Sequence, residues 1–261
     1  MIAERVERRV LGAIEFADAL SGLRVREPLV VKAPAMRLVF NASSLYVIRE
    51  ADGLAAHTEA FREPPATPAF QSQSFALQVS DPAGRYQART AQVRLPRRDA
   101  PAADEGSLLR PVRIALYPSM ARPVDPVWAT LRVLVRVSGT RVGVANALLR
   151  LTPALAGAEA SHAVTDGNGE AVLAVAGVQP VIPVGSGTGP NPVFTRNFSA
   201  ALVVALDPDV VRRGDGAPPL PVPDPDLMLS RFGLAEVRKV NPPAVQMSAG
   251  ISQRVEVEVT L

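Results

Sequence analysis

The segment TDGNGE, Thr165 to Glu170, sets oxygen-bearing side chains at alternate positions: Asp166, Asn168 and Glu170. That spacing opens a calcium loop of the helix–loop–helix type. Such a loop also requires glycine at its sixth position and a bidentate glutamate at its twelfth. Counted from Asp166, those positions hold Ala171 and Gly177, so the ligand set ends at Glu170. The same residues suit a tight turn. Asp and Asn accept left-handed backbone, and Gly167 and Gly169 reach positive φ without a Cβ penalty. Thr165, Asp166, Gly167, Asn168 and Gly169 are therefore expected to form a turn that feeds an apolar strand and binds no metal.

Other candidate chemistry is sparse. Histidine occurs twice, at His57 and His162, and cysteine is absent. Without thiolates, and with two distant histidines, a catalytic zinc site is not expected. No G-x-S-x-G nucleophile motif occurs. GSGTG at 185–189 lacks the lysine of a phosphate-binding loop, and Pro190 and Pro192 prevent the helix that must follow one. Asp207, Asp209, Asp215, Asp224 and Asp226 gather carboxylates in a Pro-rich stretch, where no regular element frames them for glycosidase work. Trp128, the single tryptophan, precedes a strong strand and reads as an inner-face anchor rather than a sugar platform. No enzymatic activity, catalytic residue or cofactor is expected.

Net charge is +3, and Lys32 and Lys239 are the only lysines among otherwise arginine cations. The arginines are scattered and aromatics make up 5% of the chain, a poor match to a nucleic-acid interface. No uncharged apolar run reaches the length of a membrane span, and from the charged N-terminal residues no secretory leader is expected. Cytoplasmic synthesis and assembly are expected.

The elements that must carry these residues read as strands. SQRVEVEVTL (252–261) alternates throughout, with Val255, Val257, Val259 and Leu261 on one face. ATLRVLVRV (129–137) and SFALQVSD (74–81) alternate similarly, and further runs fall near 8–17, 27–31, 36–40, 45–49, 86–95, 111–117, 147–151, 171–176 and 198–206. Helix is confined to pieces near 52–61 and 225–232. Many short strands with Gly/Pro turns predict an all-β chain of two sandwich domains in tandem. The polar run at 99–110 reads as a linker between a domain at 1–98 and one at 111–261, the second with Gly/Pro-rich loops at 181–194 and 207–226. SGLRVREPLVV (21–31) echoes SGTRVGVANALLRL (138–151), each followed by a turn and strand; a repeated module and a shared turn idiom both account for this.

An apolar strand, NALLRLTP (146–153), followed by TDGNGEAVLAV, resembles carboxypeptidase-regulatory-like, or prealbumin-like, sandwich domains. Thr165, Asp166, Gly169 and Leu173 occupy the matching positions. The resemblance covers about 70 residues and implies an accessory or structural module without chemistry of its own. The runs at 79–98 and 115–126 are similar to sequences of phage tails and contractile injection particles.

Two strands are apolar on both faces. In NFSAALVVALD (197–207), Ala201, Val203 and Ala205 oppose the Phe198, Leu202, Val204 and Leu206 face, and EAVLAVAG (170–177) behaves alike. A lone sandwich has one core to offer, so the second face is expected to be covered by the other domain, a long loop or a neighbouring subunit. Ala201, Val203 and Ala205 are the candidate interface. The expected partners are other subunits of a large assembly, further copies of this chain among the candidates. A free adhesin or sugar-binding module, and an accessory domain of an enzyme complex, are the alternatives.

Overall fold

The computed structural model describes residues 9–59, 65–178, 197–216 and 220–261. The loop expected at 181–194, with GSGTG, lies outside the described residues. The chain is all-β, with seventeen strands and two short helices among the described residues. It divides into two compact units, the first built from residues 9–18, 22–59, 65–82 and 88–116, the second from 19–21, 83–87 and the described residues from 117 onward.

The first unit holds β1 (Gly12–Asp18), β2 (Val30–Lys32), β3 (Met36–Phe40), β4 (Tyr46–Ala51), α1 (Ala55–Glu59), β5 (Gln73–Ser80), β6 (Arg89–Leu95) and β7 (Val112–Leu116). One sheet runs β3-β4-β1-β7, with β1 and β7 parallel; the other runs β2-β5-β6. Alternation explains the strands. In β6 the buried positions are Arg89, Ala91, Val93 and Leu95, with Arg94 and Gln92 outward. Arg89, fully buried, donates to Ala115 O at 2.6 Å and so ties β6 to β7.

This corrects the expected boundaries. β7 was assigned by pattern to the second domain, yet it pairs with β1 of the first. The run at 99–110 is no free linker either. Arg97 donates to Ser107 O, Glu105 O and Arg110 O, while Arg98 pairs with Asp104 at 2.7 Å. The loop's backbone carbonyls and the Asp104 carboxylate fold it onto the end of β6.

The second unit holds β8 (Ala129–Val137), β9 (Val144–Ala145), β10 (Leu148–Pro153), β11 (Ser161–Val164), β12 (Glu170–Val175), β13 (Asn197–Leu206), β14 (Arg212–Arg213), α2 (Pro225–Arg231), β15 (Arg238–Val240), β16 (Val245–Ser248) and β17 (Ser252–Val259). Its main sheets are β11-β10-β13-β15, with β16 also on β13, and β12-β8-β17, in which β17 lies parallel to β8. Leu131, Val133 and Val135 of β8, Leu173 of β12 and Val257 of β17 meet Leu149 of β10 and Leu202 and Val204 of β13 in one core. The echo between 21–31 and 138–151 does not extend to topology. The turn and strand that follow the first copy, NASSLYVI (41–48), join β3 to β4, hairpin partners in one sheet, whereas TDGNG, which follows the second, joins β11 to β12, which lie in different sheets.

The TDGNG turn is wedged among three backbones. Thr165, buried, accepts from Ala147 N–H and donates to Val144 O at 2.6 Å. Asp166 Oδ1 accepts from the N–H groups of Asn168 and Glu170, both at 2.9 Å. Gly169 has φ +79°, and a Cβ there would sit 2.8 Å from Val144 N and closer still to Val135 O. Gly143 and Gly214 approach Asn168 O and Gly167 O as tightly, and Gly214 N–H donates to Gly143 O at 2.7 Å. Gly139, also left-handed with φ +69°, has nothing within 4 Å of its missing Cβ. Gly139→Ala is therefore expected to lose only the left-handed penalty, about 1–2 kcal/mol. Gly169→Ala adds a steric clash with backbone and melts at a clearly lower temperature. Equal melting temperatures for the two variants in a thermal scan would contradict this account.

Candidate interaction surface

The candidate interface lies on the outer face of β13, and its three residues meet three different surroundings. Ala205 is buried, packed with Leu148 and Val164 of neighbouring strands beneath Met228 and Val237. Met228 belongs to α2, so the covering element at this end is intramolecular. Val203 is half-buried, directly across from Arg150 of β10. Ala201 is exposed, across from exposed Thr152. The doubly apolar pattern thus has two causes, a helix over one end and an open stripe at the other.

The helix is placed by its own sequence. Asp224 caps it, accepting from the N–H groups of Asp226 and Leu227, and Pro225 stands at its first turn, where no N–H is needed. Its last turn carries Arg231, whose Nε lies 3.1 Å from Asp207 and whose Nη2 donates to Asp209 at 2.7 Å. Both carboxylates follow β13 directly, so α2 is latched to the strand it covers. Phe232, just beyond, receives Arg150 at 5.7 Å and Lys239 at 5.2 Å over its ring.

Five of the carboxylates that could suggest chemistry from sequence have a structural role in this frame. Asp207 and Asp209 hold Arg231, Asp215 forks onto Arg213, Asp224 caps α2, and Asp166 closes its turn. Hydrogen bonding to Arg213 lowers the Asp215 carboxyl below its usual range. Among the described residues no three His, Asp or Glu side chains gather as a metal site. His57 is buried in α1 of the first unit and His162 sits in β11 of the second, so no site can share them within one unit. Trp128 departs from expectation: it is half-buried after the Asp125–Trp128 turn and lies outside the core. Among the described residues no helix is long and apolar enough to cross a membrane.

Sequence reasoning left open whether the cover is intramolecular. α2 was legible, through Asp224-Pro225 and its apolar positions, but its destination was not. The ion pairs to Asp207 and Asp209 span more than twenty residues and leave no local pattern. Comparison of the chain with family models, with curated proteins and with solved structures yields no match to any of them.

Two predictions follow from this geometry. Asp207 is almost wholly buried, whereas Asp209 is exposed. Arg231→Ala leaves the buried carboxylate without its cation, so it lowers the melting temperature more than Asp209→Ala does. Adding Asp207→Asn to Arg231→Ala restores part of the loss; if it restores none, the latch is not the cause. His162 concerns pH. Burial first, and Arg150 second, hold its imidazole below the ordinary value near 6.5. The unfolded chain then binds the proton more readily, so this residue makes stability fall as pH drops from about 6.5 through its lower folded value. His162→Gln is expected to flatten that part of a melting-temperature profile, and an unchanged slope would refute the assignment.

Proposed function

We propose that this chain is a non-enzymatic structural subunit of a large bacterial assembly of the phage-tail or contractile-injection kind. One observation carries the reading: Asp166, Asp207, Asp209, Asp215 and Asp224, which could have formed a site, close a turn, cap a helix or pair with arginine. What the second unit offers outward is instead shape, in the form of the stripe through Ala201 and Val203 beside the latched helix. An apolar strand face left open to solvent is one that a neighbouring subunit can cover. The resemblance of 146–175 to carboxypeptidase-regulatory-like sandwiches, and of 79–98 and 115–126 to tail-particle sequences, points the same way.

Ala201→Glu is the appropriate probe. It adds charge at an exposed position, whereas a glutamate at 203 would face the Arg150 cation across the strand pair. The expected outcome is a variant with unchanged melting temperature that no longer co-sediments with the particle formed by the native protein in its own cell. A native protein that sediments free of any large particle would defeat the proposal. Trp128, partly open to solvent, favours a sugar-binding module as a second reading; binding on a glycan array that Trp128→Ala abolishes would select it.

A further inference from the structure

The second edge of β17 has no strand paired to it among the described residues, and β17 is the longest strand so placed. Its parallel partner β8 receives the odd-numbered residues: Ile251 O and Val259 O accept from Thr130 and Ser138 N–H. In an extended strand a residue's N–H and C=O point to the same side, and successive residues alternate. Ser252, Arg254, Glu256 and Glu258 therefore present their backbone groups to the free edge. All four are exposed.

We propose that β17 pairs antiparallel with β17 of a second copy of this chain across a two-fold axis at Val255, joining two three-stranded sheets into one of six. Charge selects this register. Centred on Val255, Arg254 of each copy faces Glu256 of the other, and Ser252 faces Glu258. Centred one residue on, at Glu256, Arg254 would still face an acid, Glu258, but Glu256 would face its own copy, and like charges directly opposite destabilise a pair. The strand thus pairs with itself free of like-charge contacts in one register and meets one at its centre in the next.

A second observation agrees. Ile251 and Leu261, at the two ends of β17, are large hydrophobics left exposed, at 44% and 48%. In the Val255-centred register Ile251 of one copy lies opposite Val259 of the other and diagonal to Leu261, so both exposed groups are covered at each end of the pairing. The existing contacts of the charged residues are surface pairs, Arg254 with Glu170 at 3.7 Å and Arg136 with Glu256 at 2.7 Å, and can be shared across the new pair. This surface is separate from the Ala201 stripe, and the inference stands whether or not the chain works inside a larger particle.

Sedimentation of the full chain over a range of concentrations tests it. The native protein is expected to form a dimer. Arg254→Glu places acids opposite each other twice and weakens self-association about tenfold or more, with the melting temperature of the monomer retained. Combining it with Glu256→Arg restores the dimer, because both facing pairs are then re-formed with sign reversed. The chain contains no cysteine, so Val255→Cys adds a single thiol. It is expected to cross-link two copies at the axis under mild oxidation, while Val257→Cys, which faces Gln253, is not. A native protein monomeric at every concentration would mean that the charges serve only to keep the edge unpaired, and would overturn the proposal. A dimer indifferent to Arg254→Glu, or one that the double exchange fails to restore, would overturn it equally.

Discussion

Space for a single methyl group decides the architecture of the second unit. Gly143, Gly169 and Gly214 come from three separate stretches of chain, and each approaches a neighbour's backbone more closely than any Cβ allows. Their meeting lets the chain leave β11 in one sheet and enter β12 in the other within five residues. The buried Thr165 hydroxyl then links this crossing to both sides of the β9–β10 bend, through Val144 and Ala147. Asp166 belongs to the same device. Its carboxylate neutralises two N–H groups that the crossing would otherwise leave without partners.

The outer face of the β10–β13 sheet depends on a different interaction. A buried carboxylate, Asp207, sits where β13 ends, and it is stable there because Arg231 arrives from α2. Hydrophobic packing alone, Met228 over Ala205 and Leu148, would hold a seven-residue helix weakly, since so short a helix has little intrinsic stability. The ion pair and the packing therefore act together, one fixing the helix end and the other its face. The Pro-rich approach to α2 restricts the conformations open to the segment before it docks.

Most strands, and both helices, were legible because period-2 alternation and the Asp-Pro cap are local signals. β9, β14 and β15 were not: two or three residues carry no period, and Arg212 and Arg213 read as loop charges until β14 is seen lying beside Val144 and Ala145. β11 was missed because Ser161 and His162 break the apolar pattern, and β16 because Val245 and Met247 alone are too few to show one. The boundary at 99–110 misled for a physical reason. Polar loops that are bound to an arginine and polar loops that are free have the same composition. The doubly apolar character of 197–207 was read correctly, but a sequence cannot say whether the cover comes from the same chain. Ala205 and Ala201 look alike in the sequence and differ only because α2 reaches one of them.

The parallel pairing of β8 with β17 has a bearing on biosynthesis. Arg136 and Glu256, joined across that pair, are 120 residues apart. During translation β8 emerges early, with its apolar inner face and one bare edge, and the strand that completes it emerges among the last residues of this sequence. The second unit cannot close its core vectorially as it is made, and contacts of such separation form slowly even in a complete chain. Throughout that interval β8 presents an open template for wrong pairing. Alternating charges on β17 and arginines on β8 make the correct partner recognisable when it finally arrives.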